Sequence, residues 1–236
     1  MEPIEINKRA TFFLAESLLL NSEKMQKIAE LFSGVLDLMP AYDKRIQMNI
    51  TPTGAVTSSE ERGIEMRRTD GSLRVTFDSS RIDIFSIQGC TLYEFVEMVK
   101  EIKDVLHHLE VGAFSRFALC HQSYYNCSEE QFKQCYHATF HDAENESVEW
   151  NSQRVMRKRF AEDSPLMLNN IIFLGRVLNA NVDGNIINEK LLLNIDVNTI
   201  PGSAINDVNE RENDFFERAM QIIEEDERIV NDIFTE

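Results

Sequence analysis

Two apolar spacings alternate along this chain, and their order leaves few folds open. From Ser22, the apolar residues Met25, Ile28, Phe32, Val35, Leu36 and Met39 recur at helical intervals up to Pro40, and the Ser22 hydroxyl can cap the first free amides. The period then changes. Ile46, Met48 and Ile50 alternate with polar residues, as do Ile64 and Met66, then Leu73, Val75 and Phe77, then Ile82 and Ile84, which is the two-residue period of half-buried strands. Thr69-Asp70-Gly71-Ser72 supplies the turn between the second and third of these, because glycine tolerates the positive φ of a tight hairpin. A capping box, Thr91-Leu92-Tyr93-Glu94, opens another helix that lines up Leu92, Phe95, Val96, Val99, Ile102, Leu106 and Leu109. Ahead of all this, Ala10 to Leu20 is apolar enough for a buried strand.

The remainder of the chain runs through the same order. Phe114 to His121, which includes Arg116-Phe117-Ala118-Leu119-Cys120, reads as a strand, and Ser128 opens a helix whose first turn holds Glu129, Glu130 and Gln131. Val148 to Phe160 and Asn169 to Asn181 read as longer strands, Asp183-Gly184 as a turn, and Leu191, Leu193, Ile195 and Val197 as the buried face of a third. After a loop at Pro201-Gly202, a helix from about Asn206 to Phe234 carries Phe215, Ala219, Ile222, Ile223, Val230 and Ile233 on one stripe. The expected architecture is α+β, with two pseudo-repeated halves, 1–110 and 111–236. Each half is strand, helix, antiparallel meander, helix, with the helices on one face of the sheet. This order is similar to helix-grip and TATA-binding-protein-like topologies, and topology alone implies no function.

At 236 residues with 43% hydrophobic side chains the chain can bury a real core, and no apolar run approaches the roughly 20 residues that a spanning helix needs. Met1-Glu2-Pro3-Ile4-Glu5-Ile6 has no basic segment leading into an apolar one, so a cytoplasmic protein without a membrane role is expected. Four cysteines, Cys90, Cys120, Cys127 and Cys135, are too few for a disulfide framework and are expected as free thiols.

Little in the chain spells out a reaction. Cys120, His121, Cys127, Cys135, His137 and His141 are the densest group of metal-ligating side chains, but no Cys-x-x-Cys pair occurs, and neighbours such as Cys120 and His121 point to opposite faces of a strand. Cys135 and His137 are two apart and do not face each other on a helix, while Cys90 sits just before a helix N-terminus. Nucleophile elbows, phosphate-cradling loops and dinucleotide fingerprints are missing. No catalytic residue, metal or cofactor is expected.

Charge layout is more informative. Forty acidic against twenty-four basic residues give a net charge of -16, which opposes bulk attraction to phosphate backbones. Residues 206–236 alone contribute -8, whereas 44–88 and 148–160 together contribute +4. Arg154, Arg157, Lys158 and Arg159 form the strongest local patch, and in a strand Arg157 and Arg159 share a face. Such a patch reads first as protective charge on an edge strand and second as a recognition surface for an anionic ligand, an acidic protein or single-stranded nucleic acid. Arg116 and Asp196 are the charged members of two apolar strands and are expected to pair, so Arg116→Ala should cost stability.

Arg116-Phe117-Ala118-Leu119, the helix opening Leu92-Tyr93-Glu94-Phe95, and Leu193-Asn194-Ile195-Asp196-Val197 before an acidic helix resemble a sporadically distributed family of uncharacterised bacterial proteins. His121-Gln122-Ser123-Tyr124 departs from that family's consensus after the arginine strand. The resemblance implies an accessory or defence context and carries no activity. The expected role is a non-enzymatic binding or regulatory protein that recognises a protein partner through its sheet or its acidic helix, with self-association as a dimer. The alternative is a small-anion binder or enzyme whose Arg116, Arg157 or Arg159 meets His121 or His137 in a deep pocket. Nucleic-acid binding through the basic strand ranks third.

Overall fold

In a computed structural model that describes residues 2–50, 56–87, 89–109, 111–140, 149–180 and 187–235, nine strands form one antiparallel sheet. The chain runs β1 (Glu5–Leu14), α1 (Ser22–Phe32), β2 (Met39–Ile50), β3 (Val56–Arg67), β4 (Leu73–Phe77), β5 (Arg81–Ile87), α2 (Leu92–His108), β6 (Phe114–Tyr125), α3 (Glu129–Phe140), β7 (Trp150–Arg159), β8 (Met167–Ala180), β9 (Ile187–Thr199), α4 (Ile205–Glu210) and α5 (Glu212–Thr235). In space the strands lie in the order β2-β3-β4-β5-β1-β6-β9-β8-β7. The sheet is continuous across residue 110, because β1 and β6 are direct neighbours. The turn expected at Asp183-Gly184, together with Val148 and His141, lies outside the described residues, as do the side chains of Ile46, Met48, Ile50, Val230 and Phe234.

Alternation sets which way each strand faces. In β4 the buried residues are Leu73, Val75 and Phe77, and in β9 they include Leu191, Leu193, Ile195 and Val197, so one side of the sheet is apolar. The helices cover that side: Phe32 of α1 packs edge-on against Phe77 at 5.4 Å, and Tyr136 of α3 lies 6.1 Å from Trp150 of β7. The centre is a cluster of phenylalanines. Phe12 of β1 and Phe117 of β6 are register partners with rings 5.6 Å apart, and Phe215 and Phe216 of α5 close over them at 5.6 and 5.2 Å. Burying each such ring contributes about 1.5–3 kcal/mol, enough to fix α5 over the β1–β6 seam. Asn209 of α4 adds a polar tie, accepting from the Phe114 amide at 3.0 Å and donating to the Phe114 carbonyl at 2.8 Å.

Helix ends follow local chemistry. The capping box at Thr91 and Glu94 is formed in both directions, and Ser128 and Gln131 make the equivalent pair of bonds ahead of α3. Asn21, rather than Ser22, caps α1 by accepting from the Lys24 amide at 2.8 Å. That helix ends at Phe32, not near Pro40, because Gly34, Leu36 and Asp37 all take positive φ and turn the chain into β2. The first strand is Glu5–Leu14 instead of Ala10 to Leu20, since its register breaks between Phe13 and Leu14 and Leu19 is 78% exposed. The terminal helix is interrupted at Arg211, between α4 and α5.

Candidate binding face

The side of the sheet opposite the helices mixes charged, polar and apolar residues, and register assigns them in rows. One row runs Glu65, Thr76, Asp83, Thr11, Ala118, Asn198, Asn169, Arg157 from β3 to β7. A second runs Arg67, Arg74, Phe85, Arg9, Cys120, Asp196, Ile171, Val155, and a third holds Arg81, Phe13 and Arg116. Among the described side chains this face collects Arg9, Arg67, Arg74, Arg81, Arg116, Arg157 and Arg159, against Glu5, Glu65, Asp83 and Asp196. It is therefore cationic in a chain of net charge -16.

In the first row Thr11, Asp83, Ala118 and Asn198 are small and buried, and the neighbouring rows bring arginines and aromatic rings beside them. Asp83 is held by the Thr11 hydroxyl at 2.6 Å and by Arg81 at 3.0 Å, so its charge is matched within the sheet. Arginines here stack on rings. Arg116 sits 3.9 Å from the centroid of Phe13, and Arg74 sits 4.7 Å from that of Phe85. Burial lowers the Arg116 pKa while Asp196 opposes that, and its Nε has no hydrogen-bond partner. A guanidinium held flat with unspent donors is suited to a bidentate carboxylate.

The expected pairing of Arg116 with Asp196 is replaced by this stacking. Both residues are on the face, but Asp196 accepts from the Asn198 amide at 3.1 Å and lies two rows from Arg116. The basic patch of β7 divides between the two sides. Arg157 and Arg159 point to the cationic face, whereas Arg154 and Lys158 point to the helix side, where Lys158 approaches Glu225 of α5 at 3.7 Å. With β7 at the sheet edge, Arg157 stands three strands from Ala118 of β6, about 14 Å. Sequence reasoning missed Arg9, Arg74, Arg81, Phe13 and Phe85. Their signal was the polar phase of strands whose apolar phase is plain, as in Leu73, Val75 and Phe77.

Of the thiols, only Cys120 lies on this face among the described residues. Cys120 is buried on the cationic face and donates to Asn194 at 3.0 Å, while its neighbour His121 lies under α5. Burial pushes the Cys120 and Cys135 thiols up to about 12 and Cys127 to about 11, so these three are protonated at neutral pH and are poor nucleophiles. Among the described residues no group of His, Cys, Asp or Glu is placed to hold a metal ion, no disulfide joins the four cysteines, and no helix is long and apolar enough to cross a membrane. His121 and the face arginines are on opposite sides of the sheet, so the pocket that would join them is not formed.

No family model matches the chain, and no curated protein matches it. Among solved structures it is similar to Methanococcus jannaschii TBP at 10% sequence identity, over 94% of this chain and 99% of that one, with a TM-score of 0.25.

Proposed function

We propose that the chain is a cytoplasmic, non-enzymatic binding protein whose helix-free sheet face recognises an acidic segment of a protein partner, in the bacterial accessory setting that its family resemblance implies. The observation that carries this reading is the sorting of charge. Seven arginines, two of them stacked on exposed-side phenylalanines, gather on one face of a protein of net charge -16. An acidic protein segment gains carboxylate–guanidinium bonds there without bringing the long phosphate backbone that the acidic remainder would repel.

The face also supports a duplication of residues 1–110 and 111–236. Reading outward from the central seam, β1, β5, β4 and β3 on one side mirror β6, β9, β8 and β7 on the other. An ancestral unit copied once accounts for that order, with β2 as an addition to the first copy. A dimer is the expected self-association, because a two-fold contact is the commonest closed arrangement.

Affinity purification from the source organism tests the reading. The wild-type chain is compared with an Arg9→Gln/Arg74→Gln/Arg116→Gln variant, at low and moderate salt and with nuclease treatment. A protein captured by the wild type, weakened by salt and lost with the variant is expected. Capture that disappears on nuclease treatment would support nucleic-acid binding instead, and identical capture by both chains would reject the face.

A further inference from the structure

On the helix side, a polar row interrupts the apolar floor of the sheet. Ser86 of β5 is the register partner of Lys8 in β1, and Lys8 is the partner of His121 in β6; all three are buried. Over this row lies a cavity of about 380 Å³ between residues 2–6, the start of α2 and the middle of α5. Lys8 and His121 line it from the sheet, Thr91 from α2, and Glu224 and Glu227 from α5. This volume is at the small end of ligand cavities, roughly 300–1,000 Å³.

His121 is left without a hydrogen bond there. Its side chain is 6% exposed, and neither ring nitrogen makes a hydrogen bond; Nε2 is 3.2 Å from a Glu227 carboxylate oxygen but out of line for one. Native proteins rarely keep a buried imidazole without a hydrogen bond, so an orphaned ring that lines a cavity is a candidate ligand group. Burial and the Lys8 charge push its pKa down to about 4, so at neutral pH the ring offers one donor and one acceptor. Lys8 donates to the Cys90 carbonyl at 2.7 Å, which leaves further ammonium hydrogens. Beside it, the start of the 17-residue α2 is closed by its own capping box, the Glu94 carboxylate accepting from the Thr91 amide at 2.7 Å.

The cavity thus has opposite charges on different elements. A simple anion would meet Glu224 and Glu227, and a simple cation would meet Lys8. The geometry points to a site for a small zwitterion of amino-acid size, whose carboxylate meets Lys8 and whose ammonium meets Glu224 and Glu227, with the His121 ring between them. The site is on the other side of the sheet from the arginine face and does not depend on the reading of that face.

Titration calorimetry of the full chain with the proteinogenic L-amino acids at millimolar concentration tests this, each amino acid being matched with its decarboxylated amine and its deaminated acid. For leucine the controls are isopentylamine and isocaproate. At least one amino acid is expected to bind, with both of its controls about tenfold weaker or more. Glu227→Gln and His121→Asn should each lower its affinity by about tenfold. The exposed Glu224→Gln, which leaves the buried row intact, should weaken it several-fold with an unchanged thermal midpoint. The site is refuted if no amino acid binds, if an amine or acid alone binds as tightly, or if Glu224→Gln and Glu227→Gln leave affinity unaltered.

Discussion

The guanidinium of Arg116 lies 3.9 Å from the centroid of the Phe13 ring, its direct partner across the β1–β6 ladder. The stacking fixes an arginine at the seam of the sheet, with its Nε buried and without a hydrogen-bond partner. Arg116→Ala is therefore expected to lower the unfolding free energy by only about 1 kcal/mol, and Arg116→Lys by somewhat less. Urea titration measures both. A loss of about 3 kcal/mol or more would mean that Arg116 closes a buried ion pair after all.

Phe117 occupies the opposite phase of the same strand. It is fully buried against Phe12, Phe114, Phe215 and Phe216, so Phe117→Ala should cost about 3–5 kcal/mol through lost burial and the cavity it leaves. Phe13→Ala, on the half-buried face, should cost much less. Equal losses in thermal or urea unfolding would contradict the assignment of faces.

His121 predicts a pH dependence. Its folded pKa of about 4 is below the usual 6.5, so between those values the unfolded chain binds more protons and stability falls as the pH falls. The groups facing it oppose or fall outside that window: burial raises the Glu227 pKa and lowers that of Lys8. Glu227 works in the reverse sense, its contribution being greatest at low pH and lost as the pH rises through its folded value. Between pH 6.5 and 4 the wild type should lose about 3 kcal/mol more than His121→Asn, measured by urea unfolding across the window. Parallel pH profiles would show that His121 is protonated in the folded protein.

Asn170 and Asp226 join β8 to α5 by a short hydrogen bond in the buried layer. Asp226→Ala leaves the Asn170 amide without a partner and should cost about 1–3 kcal/mol. A double variant, Asn170→Leu/Asp226→Leu, should recover part of that loss, because burying two apolar groups avoids the stranded donor. Additive losses in the double variant would refute the pairing.

Element types were legible because each rests on a local signal. Leu73, Val75 and Phe77 announce β4 by alternation, and the Thr91–Glu94 box announces α2. Boundaries were less legible where an apolar run misled, as at Leu18-Leu19-Leu20, or where the chain turns through positive φ at Leu36 and Asp37 without a conspicuous turn motif. The division of Arg157 from Lys158 was visible from parity alone. What parity does not supply is which strands become neighbours: Arg9, Arg74 and Arg116 reach one face only because β1 lies between β5 and β6, an arrangement set by the packing of α5 on Phe12 and Phe117. The buried row of Ser86, Lys8 and His121 is hidden for the same reason.

Arg157 and Lys158 are consecutive, equally basic, and on opposite sides of β7. Calorimetric affinity for the captured partner, measured with Arg157→Gln, Arg116→Gln and Lys158→Gln, tests directly whether the helix-free face is the recognition surface. The two arginine variants should bind about tenfold more weakly with unchanged folding, and the lysine variant should match the wild type. Loss of affinity with Lys158→Gln and none with the arginine variants would place recognition on the helix side and contradict the account.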